Sequence, residues 1–182
     1  MKSLVEYINE NGSSQNAAES KNSICLLDTN PSNYDDESIS IDDLDVQIEA
    51  AYEDFMNIID NVNKEYEGFL LCGTLGLWHG KRDIYPEYFH DLTEAVNKCW
   101  EKMDYVSAYL VDGCLNLSGS HHDGTNGYYI YPLSPEGCDI ITSWEQGYDD
   151  DYFDGMNEDA FFKKFVKDKK LIMKFNEKEF QL

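Results

Sequence analysis

At 182 residues, with 42% hydrophobic and 14% aromatic content, the chain has the length of one domain and enough apolar surface to offset its ordering entropy. Its 36 Asp and Glu against 14 Lys and Arg give a formal net charge of -22. A surface of that sign repels nucleic acid and anionic lipid and attracts cationic grooves, which argues against direct nucleic-acid or membrane binding.

Met1 to Glu10 holds no long apolar run, and no window approaches the roughly 20 consecutive apolar residues of a membrane span. Neither a secretory signal nor an anchor is expected, and the expected compartment is the cytoplasm. Cys25, Cys72, Cys99, Cys114 and Cys138 are odd in number and far apart, the pattern of reduced thiols rather than of disulfides or a zinc site.

Composition divides the chain into a polar, acidic, partly ordered leader over residues 1–41 and a single α+β domain over 42–182. In the leader, Leu4, Val5 and Ile8 suit one amphipathic turn and Ile24 to Leu27 a short strand. From Asp42 to Lys64, Leu44, Ile48, Ala51, Tyr52, Phe55, Ile59 and Val62 recur at spacings of three and four, which predicts an amphipathic helix capped by Ser40 or Asp42. Phe69 to Trp78 reads as a buried strand holding Gly73 and Gly76, followed by a loop through His79, Pro86 and His90.

Leu92, Ala95, Val96, Cys99, Trp100 and Met103 then predict a second helix behind the cap Asp91. Asp112-Gly113 is a two-residue hairpin signal between strands Tyr105 to Val111 and Cys114 to Ser118. A loop His121 to Gly127 and a strand Tyr128 to Leu133 follow. An acidic loop over 145–159, a helix starting near Asn157 and a last strand Leu171 to Phe175 complete the chain. The expected fold is thus α+β, an antiparallel meander packed against amphipathic helices.

Charge is segregated along the chain. From Lys163 onward seven lysines face three acids, so the negative charge of the preceding residues exceeds the net value. The expected contact surface consists of Asp35, Asp36, Glu37, Asp43, Asp45, Glu49, Glu53, Asp54, Asp149, Asp150, Asp151 and Asp154. Its partner would be a basic protein surface, that of a nucleic-acid-binding protein or nuclease, with a homodimer as a further option. No catalytic residue, metal ligand or cofactor is assigned.

The strongest enzymatic pattern is Ser120-His121-His122-Asp123-Gly124, where neighbouring His and Asp suit a metal or proton transfer. Adjacent side chains of an extended stretch point to opposite faces, so His121 and His122 do not readily chelate one ion, and Asp123, Gly124, Asn126 and Gly127 are turn formers. A metal-dependent hydrolase using His121, His122 and Asp123 is therefore a lesser alternative. The two glycines of Gly73-Thr74-Leu75-Gly76 lack the third glycine and helix start of a nucleotide loop.

The run Gly73 to Gly80 and the downstream His121-His122-Asp123-Gly124-Thr125-Asn126 resemble segments of small proteins of bacteriophages and mobile elements, over about residues 68–133. That resemblance implies counter-defence, in which small acidic proteins mimic DNA and block restriction or CRISPR nucleases. It carries no residue roles, since that class shares charge rather than a motif. In scale, 22 charges match roughly 37 Å of duplex, or about 11 base pairs, at one charge per about 1.7 Å. The alternative in another class is an acidic protein-protein interaction or assembly module that binds by shape and charge without mimicry.

Overall fold

The computed structural model describes residues 23–30, 41–75, 83–101, 103, 105–121, 124–147 and 155–181. In chain order the elements are β1 (Ser23–Asp28), α1 (Ile41–Asn63), β2 (Phe69–Leu75), β3 (Asp83–Phe89), α2 (Leu92–Trp100), β4 (Tyr105–Val111), β5 (Cys114–His121), β6 (Gly124–Pro132), α3 (Pro135–Glu145) and α4 (Glu158–Phe165). A 3-10 turn over Glu177–Phe180 follows them. The strands form one six-stranded sheet in the order β1-β4-β5-β6-β2-β3, every pair antiparallel. The fold is α+β, with the β4-β5-β6 meander at its centre.

Alternation along the strands divides the apolar residues between two cores. On one face Leu27, Ala108, Leu110, Leu115, Leu117, Ile130, Phe69 and Leu71 pack against α1 and α2, through Phe55, Ile59, Val62, Leu92 and Val96. On the other face Leu70 and Cys72 meet Ile141 of α3, Phe161 and Phe165 of α4, and Leu171. β2 is therefore buried on both sides, which is why its sequence is a continuous apolar run instead of an alternation.

The β4–β5 turn follows the sequence expectation closely. Asp112 and Gly113 both take positive φ, 52° and 80°, the backbone of a two-residue hairpin, and Val111 pairs with Cys114 on either side of them. Asp91 caps α2 by accepting from Thr93 N at 2.7 Å, and Asn157 caps α4 by accepting from Ala160 N at 2.9 Å. α1 spans 23 residues, one position earlier than the periodicity indicates.

Three expectations are corrected, and one helix lies where no element was expected. The loop through Pro86 contains β3, an edge strand that tolerates proline because one of its sides has no ladder to complete. The loop after His121 is shorter than expected, since β6 already begins at Gly124, which pairs with His121. Leu171 to Phe175 forms no full strand: Ile172 makes an isolated bridge to Leu133, and the segment is held by Met173 N donating to Pro132 O and Phe175 N to Gly113 O. Between β6 and the acidic stretch lies α3, with Ser134 accepting from Gly137 N at 3.0 Å and Pro135 in its first turn.

β1 comes from the acidic leader yet stands in the sheet beside β4, with Cys25 opposite Tyr109 and Asp28 opposite Ser107 across a bulge. Its end is tied down by Thr29, whose hydroxyl accepts from Val106 N at 2.8 Å and donates to Val106 O at 3.1 Å. Buried Asp28 accepts from Ser107 Oγ and from Asn30 N, both at 3.0 Å. The leader's amphipathic turn at Leu4, Val5 and Ile8 and the caps Ser40 and Asp42 fall outside the described residues or side chains.

Candidate partner-binding face

α1 acquires its two faces from one periodic pattern. Ala51, Phe55, Ile58, Ile59 and Val62 are buried against the sheet, while Asp45, Val46, Glu49, Ala50, Glu53, Asp54, Asn57 and Asp60 are exposed. At 3.6 residues per turn, Asp45, Glu49, Glu53 and Asp60 fall within about 80° of arc, and Asp54 lies about 100° further round. Val46 sits among them, 65% exposed.

Between Ile41 and Asn63 the chain carries Asp42, Asp43, Asp45, Glu49, Glu53, Asp54 and Asp60 and no Lys or Arg. Asp45 to Glu49 and Glu49 to Glu53 are like-charge pairs at the four-residue spacing, where side chains are neighbours and repel. Among the described residues the salt bridge found, Lys98 with Glu87, involves neither α1 nor its acids. Lys64, the first cation after the helix, donates to the neutral amide oxygen of Asn61 at 3.1 Å. The carboxylates of the outer face are thus left without an internal counter-charge among the described residues.

A neighbouring helix widens this face. Thr93 Oγ1 donates to Asp60 at 2.8 Å and Tyr52 OH to Asn97 at 3.5 Å, so α1 and α2 are stitched side by side. Glu94, exposed in the first turn of α2, follows Thr93 directly and so adds an acid close to Asp60 where the two helices meet. Sequence reasoning missed Glu94, because only the contact between the helices places it there; Asp60 was visible in the α1 pattern itself.

The structure places Asp45, Glu49 and Glu53 along one side of α1 and Asp54 on another, and Asp43 belongs to the first turn of the same helix. Asp35, Asp36, Glu37, Asp149, Asp150, Asp151 and Asp154 lie outside the described residues. So do His122, Asp123 and His79, while His121 closes β5. Among the described residues no group of three His, Cys, Asp or Glu side chains is arranged to hold a metal ion.

Among the described residues, burial holds several thiols and one tyrosine protonated at neutral pH. All five cysteines are buried and free of disulfides, and burial pushes the thiols of Cys25, Cys72 and Cys114 up to about 12. Exposed His90 has its Nδ1 3.0 Å from the Tyr88 hydroxyl. Burial first, then the neighbouring Cys138, pushes that hydroxyl up to about 12. Tyr88 therefore stays protonated at neutral pH.

No family model, curated protein or solved structure matches the chain. Among the described residues no helix is long and apolar enough to cross a membrane.

Proposed function

We propose that the chain is a non-enzymatic acidic inhibitor that mimics nucleic acid and occupies the basic nucleic-acid-binding surface of a cytoplasmic partner, such as a restriction or CRISPR nuclease. The observation that carries the reading is the composition of α1: seven acids and no basic residue, with no described cation paired with Asp45, Glu49, Glu53, Asp54 or Asp60. A 23-residue helix is about 35 Å long, comparable to about ten base pairs of duplex. Its acids recur about every 5 Å, against 3.4 Å between phosphates of one DNA strand. Carboxylates accept the same paired Arg contacts that phosphates do, so a groove built for a phosphate row finds usable acceptors along this helix.

Val46 favours a second reading, in which the same face serves an acidic assembly module. An apolar side chain 65% exposed among carboxylates suits a contact with an ordinary basic protein surface that has an apolar spot, and nucleic acid offers no counterpart to it.

The deciding experiment is capture of partners from host lysate on the immobilised protein and on the Glu49→Lys, Glu53→Lys, Asp54→Lys variant, with elution by duplex DNA. Mimicry predicts that the captured partner binds nucleic acid, is displaced by duplex DNA and is lost from the variant. Retention against excess duplex would favour the assembly module. Equal capture on the variant would remove the α1 face from either reading.

A further inference from the structure

At the opposite chemical extreme from α1, the C-terminal segment gathers lysines around a cavity. Its volume is about 440 Å³, and it is lined by the β4–β5 turn at Asp112 and Gly113, by Tyr131 of β6, by Val166 and Lys169 just beyond α4, and by Ile172 to Lys174. That size lies within the range of small-molecule sites, which are mainly apolar with a few polar groups that fix orientation. Here Val166, Ile172, Met173 and the Tyr131 ring supply the apolar wall, and Lys169 and Lys174 supply positive charge.

The walls are held in place by main-chain contacts. Met173 N donates to Pro132 O at 2.8 Å and Phe175 N to Gly113 O at 2.9 Å, so residues 172–175 are tied to β6 on one side and to the turn on the other. Gly113 permits the second attachment: a Cβ there would stand 2.6 Å from the Lys174 Cβ. Burial, followed by the adjacent Cys114, pushes the Tyr131 hydroxyl up, which leaves this wall uncharged through the physiological range. The cavity is therefore pre-formed, a condition that lowers the ordering cost of binding.

We propose that this cavity binds a small organic anion with an apolar body, its acidic group met by Lys169 and Lys174 and its body seated against Val166, Ile172 and Met173. The placement of charge supports this class of ligand. In a chain of net charge -22, five of the eight lining residues fall in the stretch where lysines outnumber acids, seven to three. Neither Lys169 nor Lys174 forms a salt bridge with a described carboxylate. Asp112 in the lining offsets one of the two lysine charges, which leaves a net charge matched to a monoanion. This inference is independent of the reading of α1.

The test uses 8-anilinonaphthalene-1-sulfonate, a monoanion with an aromatic body, titrated into the full chain by fluorescence and calorimetry. One saturable site is expected. The Lys169→Glu, Lys174→Glu variant should weaken it by about tenfold or more. Met173→Trp, at a position 41% exposed and so tolerant of a larger side chain, should abolish it by filling the mouth. Both variants should keep the native far-ultraviolet dichroism and melting transition. Absence of a saturable site, or an affinity unchanged in both folded variants, would overturn the proposal. If the lysine variant unfolds, Met173→Trp decides alone: retained binding in it refutes the site and lost binding supports it.

Discussion

The ring of Tyr128 occupies the space a side chain at position 73 would need, since a Cβ on Gly73 would lie 2.7 Å from Tyr128 Cε1. The two residues are partners in the β2–β6 ladder, on the face that packs against α1 and α2. Among the described residues the buried tyrosine hydroxyl has no hydrogen-bond partner, so its burial carries an uncompensated desolvation cost. Gly73→Ala should therefore destabilise the fold by about 1–3 kcal/mol through overpacking. Tyr128→Phe, which keeps the ring and removes the orphan hydroxyl, should be neutral or stabilising by about 1 kcal/mol. Urea unfolding of the two variants measures both. A loss of more than about 1 kcal/mol in Tyr128→Phe would show that the hydroxyl has a partner in solution.

That pair also marks how far the sequence could be read. A glycine inside an apolar run signals close backbone approach, and the expected buried strand does begin at Phe69, but the identity of the approaching ring depends on a strand 55 residues later. The α1 stripe, the Asp112-Gly113 turn, the cap Asp91 and the helix start near Asn157 were legible because each is set by residues within a few positions. β3 was not, since Pro86 reads as a loop former until its place at the sheet edge is known. The start of β6 was hidden for a similar reason: Gly124, Asn126 and Gly127 favour turns locally, yet pairing with β5 extends them. For α3 a signal did exist, a serine cap followed by proline in the first turn at Ser134-Pro135. Of the acidic face, the α1 portion could be read from periodicity, whereas Glu94 required the Thr93 to Asp60 hydrogen bond between helices.

The buried thiols and tyrosines predict an alkaline limit to stability. Burial, the largest cause for each, raises Cys25, Cys72 and Cys114 from 9.0 to about 12, and Tyr66 and Tyr88 from 10.0 to about 12. Above pH 9 the unfolded chain loses these protons first and so binds fewer than the native state, which means stability falls as pH rises. The contribution is fully present below pH 9 and is lost progressively from there to about pH 12. Melting temperatures recorded from pH 7 to 11 should decline, with the steeper part above pH 10 where tyrosines add to thiols. At pH 8, a thiol-reactive disulfide reagent should label the native protein far more slowly than the urea-unfolded one. Rapid native labelling would place a thiol at the surface.

Binding through the α1 face should depend strongly on ionic strength. Exposed fields are screened over about 8 Å at physiological salt and about 3 Å at 1 M, and electrostatic steering raises association rates at low salt. The association rate with the captured partner should therefore fall at least tenfold between about 0.05 and 0.5 M salt, with a much smaller change in the dissociation rate. Stopped-flow or surface-based kinetics would measure both. A salt-independent association rate would point instead to an apolar contact centred on Val46.

The last prediction sets stability against binding at one residue. Glu49 stands four residues after Asp45 and four before Glu53, so it takes part in two like-charge contacts on an exposed helix face. Replacing it with lysine removes both repulsions and creates two opposite-charge neighbours, each change amounting to about 0.2–0.5 kcal/mol. The pairing of Asp45 with a lysine at position 49 also has the better orientation, with the acid toward the helix N-terminus. Glu49→Lys should therefore stabilise the protein by about 1 kcal/mol, while weakening capture of a basic partner by about tenfold or more. The combination distinguishes the proposal from a surface whose acidity serves solubility alone, for which the variant would gain stability and lose no interaction. Urea denaturation and the partner-binding assay on the same preparation supply the two readings. A variant that is more stable and binds as well as the parent would remove Glu49 from the contact face; one that is less stable would show that Glu49 has an attractive partner in solution.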